Sequence, residues 1–82
     1  MAETLIQVYR IAIYESDGES LGDLVGYKSD DGDITEDKNL IQYYSSEKAA
    51  EENVDNSDEL EVSMREVVES VMMSLTEFMT IH

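Results

Sequence analysis

The side chains with binding chemistry in this chain are mostly carboxylates. Of its 82 residues, 20 are Asp or Glu, 5 are Lys or Arg, one is histidine and none is cysteine. The densest group of carboxylates lies in the stretch KSDDGDITED at 28–37. Groups of this kind coordinate calcium, transfer protons, or present negative charge to a partner. The residues around them decide between these three uses.

The acidic stretch has part of the pattern of a calcium-binding loop. Such a loop needs oxygen ligands at its positions 1, 3 and 5, glycine at position 6 and a bidentate glutamate at position 12. With Gly32 at position 6, Tyr27 and Lys38 occupy the two ends, and neither supplies a carboxylate. The flanking residues also predict strands where the calcium loop has helices. We therefore expect no metal site, and weak binding of divalent ions at this loop stays open as an alternative.

The sequence predicts no enzyme. Its single histidine, His82, is the last residue, where fraying disfavours a catalytic role, and there is no cysteine to act as a nucleophile. It contains no glycine-rich phosphate loop, no H-E-x-x-H and no G-x-S-x-G. Paired carboxylates serve glycosidases, but a chain this small has little volume for a deep, water-excluding cleft. We expect neither catalysis nor a cofactor.

The net charge of −15 is the most informative property of the composition. Such an excess repels nucleic acid and anionic membranes and destabilises the fold by self-repulsion. The 41% of hydrophobic residues, arranged periodically, favour a folded protein of one domain over 1–82. No segment reaches the ~20 apolar residues that span a membrane. The composition predicts a cytoplasmic protein that binds neither nucleic acid nor membrane directly.

Hydrophobic patterning predicts strands at 5–14, 24–28 and 40–44 and a short helix at 47–53. The first strand carries apolar residues at both odd and even positions, which is typical of a central strand. Gly26, inside the second strand, marks a bulge or a close approach of another backbone. Ser45 or Ser46 is suited to cap the short helix. These elements predict a small three-stranded antiparallel sheet followed by helix.

The C-terminal segment predicts a long amphipathic helix. Apolar residues recur there at steps of three and four, which indicates one face of a helix of about 20 residues, ~30 Å long. These residues are Leu60, Met64, Val67, Val68, Val71, Met72, Leu75, Phe78 and Met79. The predicted fold class is therefore α+β, with the sheet followed by a short and a long helix. Val62 and Met73 fall outside the apolar stripe.

The predicted long helix offers more apolar surface than three short strands can cover. Either it lies diagonally across the sheet, or it packs against the same helix of a second copy. Methionine suits adaptable interfaces, and a two-fold dimer is the simplest assembly. We expect a homodimer whose interface consists of Met64, Val68, Val71, Met72, Leu75 and Met79.

The remaining use of the carboxylates is negative charge itself. Solubility needs a net charge of only about 2 to 8 in magnitude, so a charge of −15 exceeds what a merely solvated surface requires. Double-stranded DNA carries one charge per ~1.7 Å of its axis, and clustered carboxylates approach that density. We expect two groups to contact a partner: Asp30, Asp31, Asp33, Glu36 and Asp37 in the loop, and Glu51, Glu52, Asp55, Asp58 and Glu59 after it.

In its composition, its acidic turns SDGES and SDDGDITED, its predicted acidic amphipathic helix and its lack of cysteine, the chain resembles the small phage-encoded DNA mimics and host-takeover proteins. The resemblance implies a protein of the host cytoplasm that occupies the DNA-binding surface of a basic host protein. Among such targets we prefer a histone-like nucleoid-associated protein, because general DNA binders contact backbone charge more than bases. These mimics share no common fold, so the resemblance implies no architecture.

Two alternatives of other classes stay open. One is an accessory protein that is structural or binds divalent ions weakly. The other is a protein that binds its partner without imitating DNA. The chain is then an interaction module without mimicry, docking on a protein such as RNA polymerase. It would use the side of the C-terminal helix that carries Val62 and Met73, or an unpaired strand edge.

Overall fold

The structure is a computed structural model that describes residues 4–16, 20–54 and 64–81. Five strands run β1 (Leu5–Ser16), β2 (Leu21–Lys28), β3 (Ile34–Thr35), β4 (Tyr43–Tyr44) and β5 (Met64–Ser74). Two short helices are α1 (Glu47–Glu52), between β4 and β5, and α2 (Leu75–Ile81), directly after β5. All five strands join one antiparallel sheet.

Strand β1 is the centre of the sheet. Along one edge it pairs with β5 in continuous register, from Leu5 opposite Ser74 to Glu15 opposite Met64. Its other edge pairs with β4 at Tyr9 and with β2 from Ala12 onwards. Strand β3 pairs with the outer edge of β2. The apolar residues on both faces of β1 fit this central position, because both faces are covered.

The two faces of the sheet have different covers. Val8 and Met73 point to one face, where they pack with Tyr43, Ile41 and the partly buried Phe78 of α2. Because side chains alternate along a strand, Ile11 and Ile13 point to the face opposite Val8. Ile11 is fully buried there. Helix α1 contacts β1 and β5, and its Ala50 is fully buried.

The predicted long C-terminal helix is wrong, and with it the predicted fold class. Residues 64–74 form β5, an eleven-residue strand, and only Leu75–Ile81 are helical. The protein is mainly an antiparallel sheet with two short helices. The error has a physical cause. A strand buried on both faces carries apolar residues at odd and even positions, and such a run contains the three- and four-residue spacings of a helix.

The predicted dimer interface is therefore not one surface. Met64, Val68 and Met72 lie on one face of β5, and Val71 lies on the other. Leu75 and Met79 belong to α2. Met73, predicted to lie outside the apolar stripe, is buried in the core at 5% exposure, while Val62 lies outside the described residues. A helix-to-helix dimer along this stripe is excluded.

Gly26 has both features that the sequence predicts. The register between β1 and β2 shifts beside the pair of Ile13 with Gly26, as at a bulge. A Cβ atom at Gly26 would lie 2.7 Å from Ile34 Cγ2 and 3.0 Å from the Thr35 carbonyl oxygen, so glycine lets β3 approach β2 closely. In the described residues, no helix combines the length and apolar character that crossing a membrane requires.

Candidate functional site

The acidic loop begins with a tight turn directly after β2. The Ser29 N–H donates to the Asp33 carbonyl at 2.9 Å, and the Gly32 N–H donates to the Ser29 carbonyl at 3.0 Å. Gly32 has φ of +86°, a conformation that glycine adopts without strain. The turn leaves the side chains of Asp30, Asp31 and Asp33 exposed. Three carboxylates therefore project from a short backbone held by its own hydrogen bonds.

The second part of the loop is ordered in the same local way. The Asp37 N–H donates to Thr35 Oγ1 at 3.0 Å, and Asp37 Oδ1 accepts from the Asn39 N–H at 2.9 Å. Glu36 and Asp37 are exposed. The loop surrounds an open concavity of about 360 Å³, lined by Ser29, Asp30, Asp31, Asp33, Ile34, Thr35, Asn39 and Leu40. The five predicted carboxylates of this loop are thus all at the surface.

The second predicted contact group is described only in part. Glu51 and Glu52 are exposed on α1, which Ser46 caps by accepting a hydrogen bond from the Ala49 N–H at 3.1 Å. Lys48 lies among these carboxylates, so the helix is less negative than the loop. The predicted residues Asp55, Asp58 and Glu59 lie outside the described residues.

Lys28 joins the acidic loop to α1. It is the last residue of β2, and its Nζ donates to the Asn53 carbonyl at 2.9 Å and to Glu66 Oε1 at 3.1 Å. Asn53 is the residue that ends α1. The end of α1 and the start of the acidic loop therefore lie on the same side of the sheet.

The electrostatic environment of Tyr44 includes a carboxylate of the acidic loop and one of β5. Burial, followed by the charges of Asp30 and Glu66, raises the pKa of Tyr44 above its ordinary value. Tyr44 ends β4 and leads into α1.

Three of the five basic side chains are neutralised within the protein. Arg10 pairs with Glu69, Lys28 pairs with Glu66, and Lys38 pairs with Glu77. All three carboxylate partners belong to β5 or α2. The carboxylates of the acidic loop and of α1 take part in no ion pair with a residue that the structure describes. The ion pairs among the described residues thus leave the carboxylates of the acidic loop and the exposed Glu51 and Glu52 of α1 without a described basic partner.

A polar cluster around Arg10 was not predicted from the sequence. Arg10 Nε and Nη2 donate to Glu69 Oε1 at 2.8 and 2.5 Å, and the Tyr14 hydroxyl donates to Glu69 Oε2 at 3.1 Å. The Arg10 guanidinium also lies 4.1 Å from the centre of the Tyr27 ring. An arginine in the middle of an otherwise apolar strand was the signal for such a cluster.

The pKa values in this cluster follow from its charges. Burial acts to lower the pKa of Arg10, but the hydrogen bond and the charge of Glu69 outweigh it, and the pKa is raised. The hydrogen bond to Glu69 and then its negative charge raise the pKa of Tyr14. Arginine stays protonated and tyrosine stays neutral at neutral pH. The cluster is therefore a structural ion pair with a tyrosine donor, which gives it no acid–base role.

The free edge of β5 was also missed. Only β1 pairs with β5 among the described strands, so the opposite edge of this strand has no described neighbour. Near its end, Met72 is 58% exposed and Met79 of α2 is 68% exposed. The described residues include no group of three or more acidic or histidine side chains placed to hold a metal ion.

No family model, curated protein or solved structure matches this chain.

Proposed function

We propose that this protein is a DNA mimic that inhibits a basic DNA-binding protein of the host. Its carboxylates take the place of backbone phosphates on the partner's DNA-binding surface. The preferred target is a histone-like nucleoid-associated protein in the host cytoplasm. Such proteins bind DNA largely through phosphate contacts, which an array of carboxylates imitates without reproducing any base sequence.

The observation that carries this proposal is the separation of paired and unpaired carboxylates. Glu66, Glu69 and Glu77 neutralise basic side chains along β5 and α2. The exposed carboxylates of the acidic loop and of α1 are left without described ion pairs, and Lys28 links these two elements. A surface that served only solubility would not need this separation.

Charge density requires such a separation. The surface of 5687 Å² averages one carboxylate per about 280 Å², whereas DNA presents about one phosphate per 100 Å². Carboxylates spread evenly over this surface would be more than twofold less dense than the phosphates of DNA. Five carboxylates within residues 30–37 raise the local density. The chain measures 46 × 23 × 23 Å, near the ~20 Å width of a duplex and the length of ~13 base pairs.

The test is competition with duplex DNA for a purified histone-like nucleoid protein. The probe is a fluorescent 30-base-pair duplex whose polarisation falls when the acidic protein displaces it. We expect the affinity of the acidic protein for the nucleoid protein, calculated from displacement and the duplex affinity at each salt concentration, to fall steeply between 50 and 300 mM salt, because salt screens the attraction between oppositely charged surfaces. Affinity that is constant over this range would contradict mimicry.

Two double variants with equal charge changes localise the contact surface. Asp31→Asn with Asp33→Asn removes two exposed loop carboxylates, and we expect it to weaken displacement about tenfold. Glu15→Gln with Asp23→Asn removes two exposed carboxylates at the other end of β1 and β2. This control should change displacement less than threefold. Equal losses in both variants would show that net charge alone acts and that the loop is not a contact surface.

The free edge of β5 favours a second candidate, an interaction module that docks without mimicry. Such a module would add the partner's segment to the sheet, for example from RNA polymerase. Met73 is unsuitable for testing it because Met73 is in the core. Met72→Ser with Met79→Ser instead changes exposed side chains beside the edge. A module would lose its partner in this variant, whereas a mimic would still displace duplex.

A further inference from the structure

The outer edge of β5 is long and regular, and no strand among the described residues pairs with it. Its eleven residues pair with β1 without a register shift. It contains no proline and no glycine, and its one basic residue is Arg65. Natural edge strands are normally short, bulged or charged, because a free edge templates pairing with another chain. Strand β5 is neither short nor bulged, and its charged residues, Arg65, Glu66 and Glu69, all lie within its first six positions.

Charge decides which kind of partner fits this edge. The two glutamates of β5, Glu66 and Glu69, are already paired with Lys28 and Arg10. The edge therefore presents no uncompensated carboxylate, unlike the acidic loop, which follows β2 on the other side of β1. A basic partner would be drawn to the loop. A second copy of this chain, repelled by the loop, meets the least repulsion at β5.

The geometry points to a homodimer in which β5 pairs antiparallel with β5 of a second copy, forming one continuous sheet. We propose this assembly as a property additional to the mimicry and independent of it. A two-fold axis perpendicular to the sheet would place the same face of both copies on one side of the joined sheet. Each β5 residue would then lie opposite a β5 residue whose side chain points to the same face. The dimer would also carry two acidic loops, one at each outer side.

The register follows from the side chains that would lie opposite each other. An axis at Glu69 would place two like charges in direct opposition, which destabilises a strand pair. An axis at Ser70 instead places Val68 opposite Met72 and Val67 opposite Met73, each of them twice. This register adds apolar contacts next to the exposed Met72 and places small Ser70 side chains at the axis.

Single cysteine variants test this pairing, because the natural chain has no cysteine. Facing Cα atoms in an antiparallel pair are ~4.5–5.5 Å apart, within the range that a disulfide spans. Ser70→Cys should therefore form a disulfide-linked dimer under mild oxidation. Ser45→Cys, at an exposed serine outside the sheet, is the matched control and should stay mainly monomeric. Equal cross-linking of both variants would overturn the proposal.

Light scattering of the unmodified chain gives a second readout. We expect a species of twice 9.3 kDa whose share rises with salt, because salt screens the repulsion between the two copies. Ser70→Asp should lower this share at least tenfold, and Ser45→Asp should leave it unchanged. A monomer at every concentration up to 200 µM would overturn the dimer, and a dimer that Ser70→Cys cannot cross-link would overturn its pairing through β5.

The salt dependence separates this proposal from mimicry, since partner binding weakens with salt and self-pairing strengthens. If the protein is monomeric and still displaces duplex, the dimer proposal is contradicted and the mimicry proposal is not. If the dimer cross-links but fails to displace duplex, the mimicry proposal is contradicted and the dimer proposal is not.

Discussion

At the scale of single residues, identical carboxylates have different roles because their neighbours differ. Glu69 accepts from Arg10 and Tyr14 in a partly buried cluster. Asp31 and Asp33 project into solvent from a turn whose hydrogen bonds are made by its backbone. The first kind stabilises the fold and the second is available to a partner. Sequence distance from a basic residue does not distinguish them, since Arg10 and Glu69 are 59 positions apart.

We expect loss of the positive charge of Arg10 to destabilise the protein more than loss of an exposed positive charge. Arg10→Met keeps most of the apolar stem but leaves the partly buried Glu69 without its cation. We expect the free energy of unfolding to fall by about 1–2 kcal/mol, as measured by urea denaturation.

Arg65→Met is the control for that change, since it alters the net charge equally. Arg65 is exposed and forms no ion pair with any residue that the structure describes. Its replacement should change stability by less than about 0.5 kcal/mol. Equal destabilisation by both substitutions would mean that net charge, not the cluster, sets the effect.

At the scale of elements, the close contact of β2 with β3 holds the acidic loop in place. Strand β2 precedes the loop, and β3, only two residues long, lies within it between Asp33 and Glu36. Gly26 permits this contact because its missing Cβ leaves room for Ile34. The position of the loop carboxylates therefore depends on a glycine outside the loop.

Gly26→Ala should separate β2 from β3. The added methyl group would lie 2.7 Å from Ile34 Cγ2, and such overpacking costs about 1–3 kcal/mol of unfolding free energy. Thermal denaturation measures the loss, and displacement of duplex should weaken with it if the loop is the contact surface.

Gly22→Ala provides the comparison on the same strand. Its added methyl group would meet Glu15 Cβ at 3.4 Å, so the neighbouring side chain need hardly move. We expect a change within about 0.5 kcal/mol. If Gly26→Ala were equally mild, β3 would not depend on the close approach.

At the scale of the whole molecule, the net charge of −15 opposes folding. The three ion pairs among the described residues offset only a small part of this repulsion, because the carboxylates of the acidic loop and of α1 have no described ion-pair partner. The elongated shape increases the mean distance between charges. The protein thus retains a charge that lowers its stability, which is consistent with the proposed use of that charge in binding.

Salt should therefore stabilise the folded protein. Raising sodium chloride from 20 to 300 mM shortens the screening length, and we expect the melting temperature to rise by roughly 5–10 °C. The loop variant Asp31→Asn with Asp33→Asn should show a smaller rise, because less repulsion remains to be screened. Circular dichroism at several protein concentrations separates this effect from dimer formation. A melting temperature that falls with salt would show that attractive ion pairs outweigh repulsion.

The sequence by itself determined the chemistry available: no cysteine, a terminal histidine and carboxylates concentrated at 28–37. It also located β1, α1 and the special role of Gly26, because these depend on local patterns of polarity, capping and backbone freedom. Tertiary structure alone decided that residues 64–74 form a strand, since pairing with β1 overrides the helical spacing of their apolar residues. It also decided which carboxylates are neutralised. Ion pairs between distant positions depend on the register of the sheet, and no local pattern encodes that register.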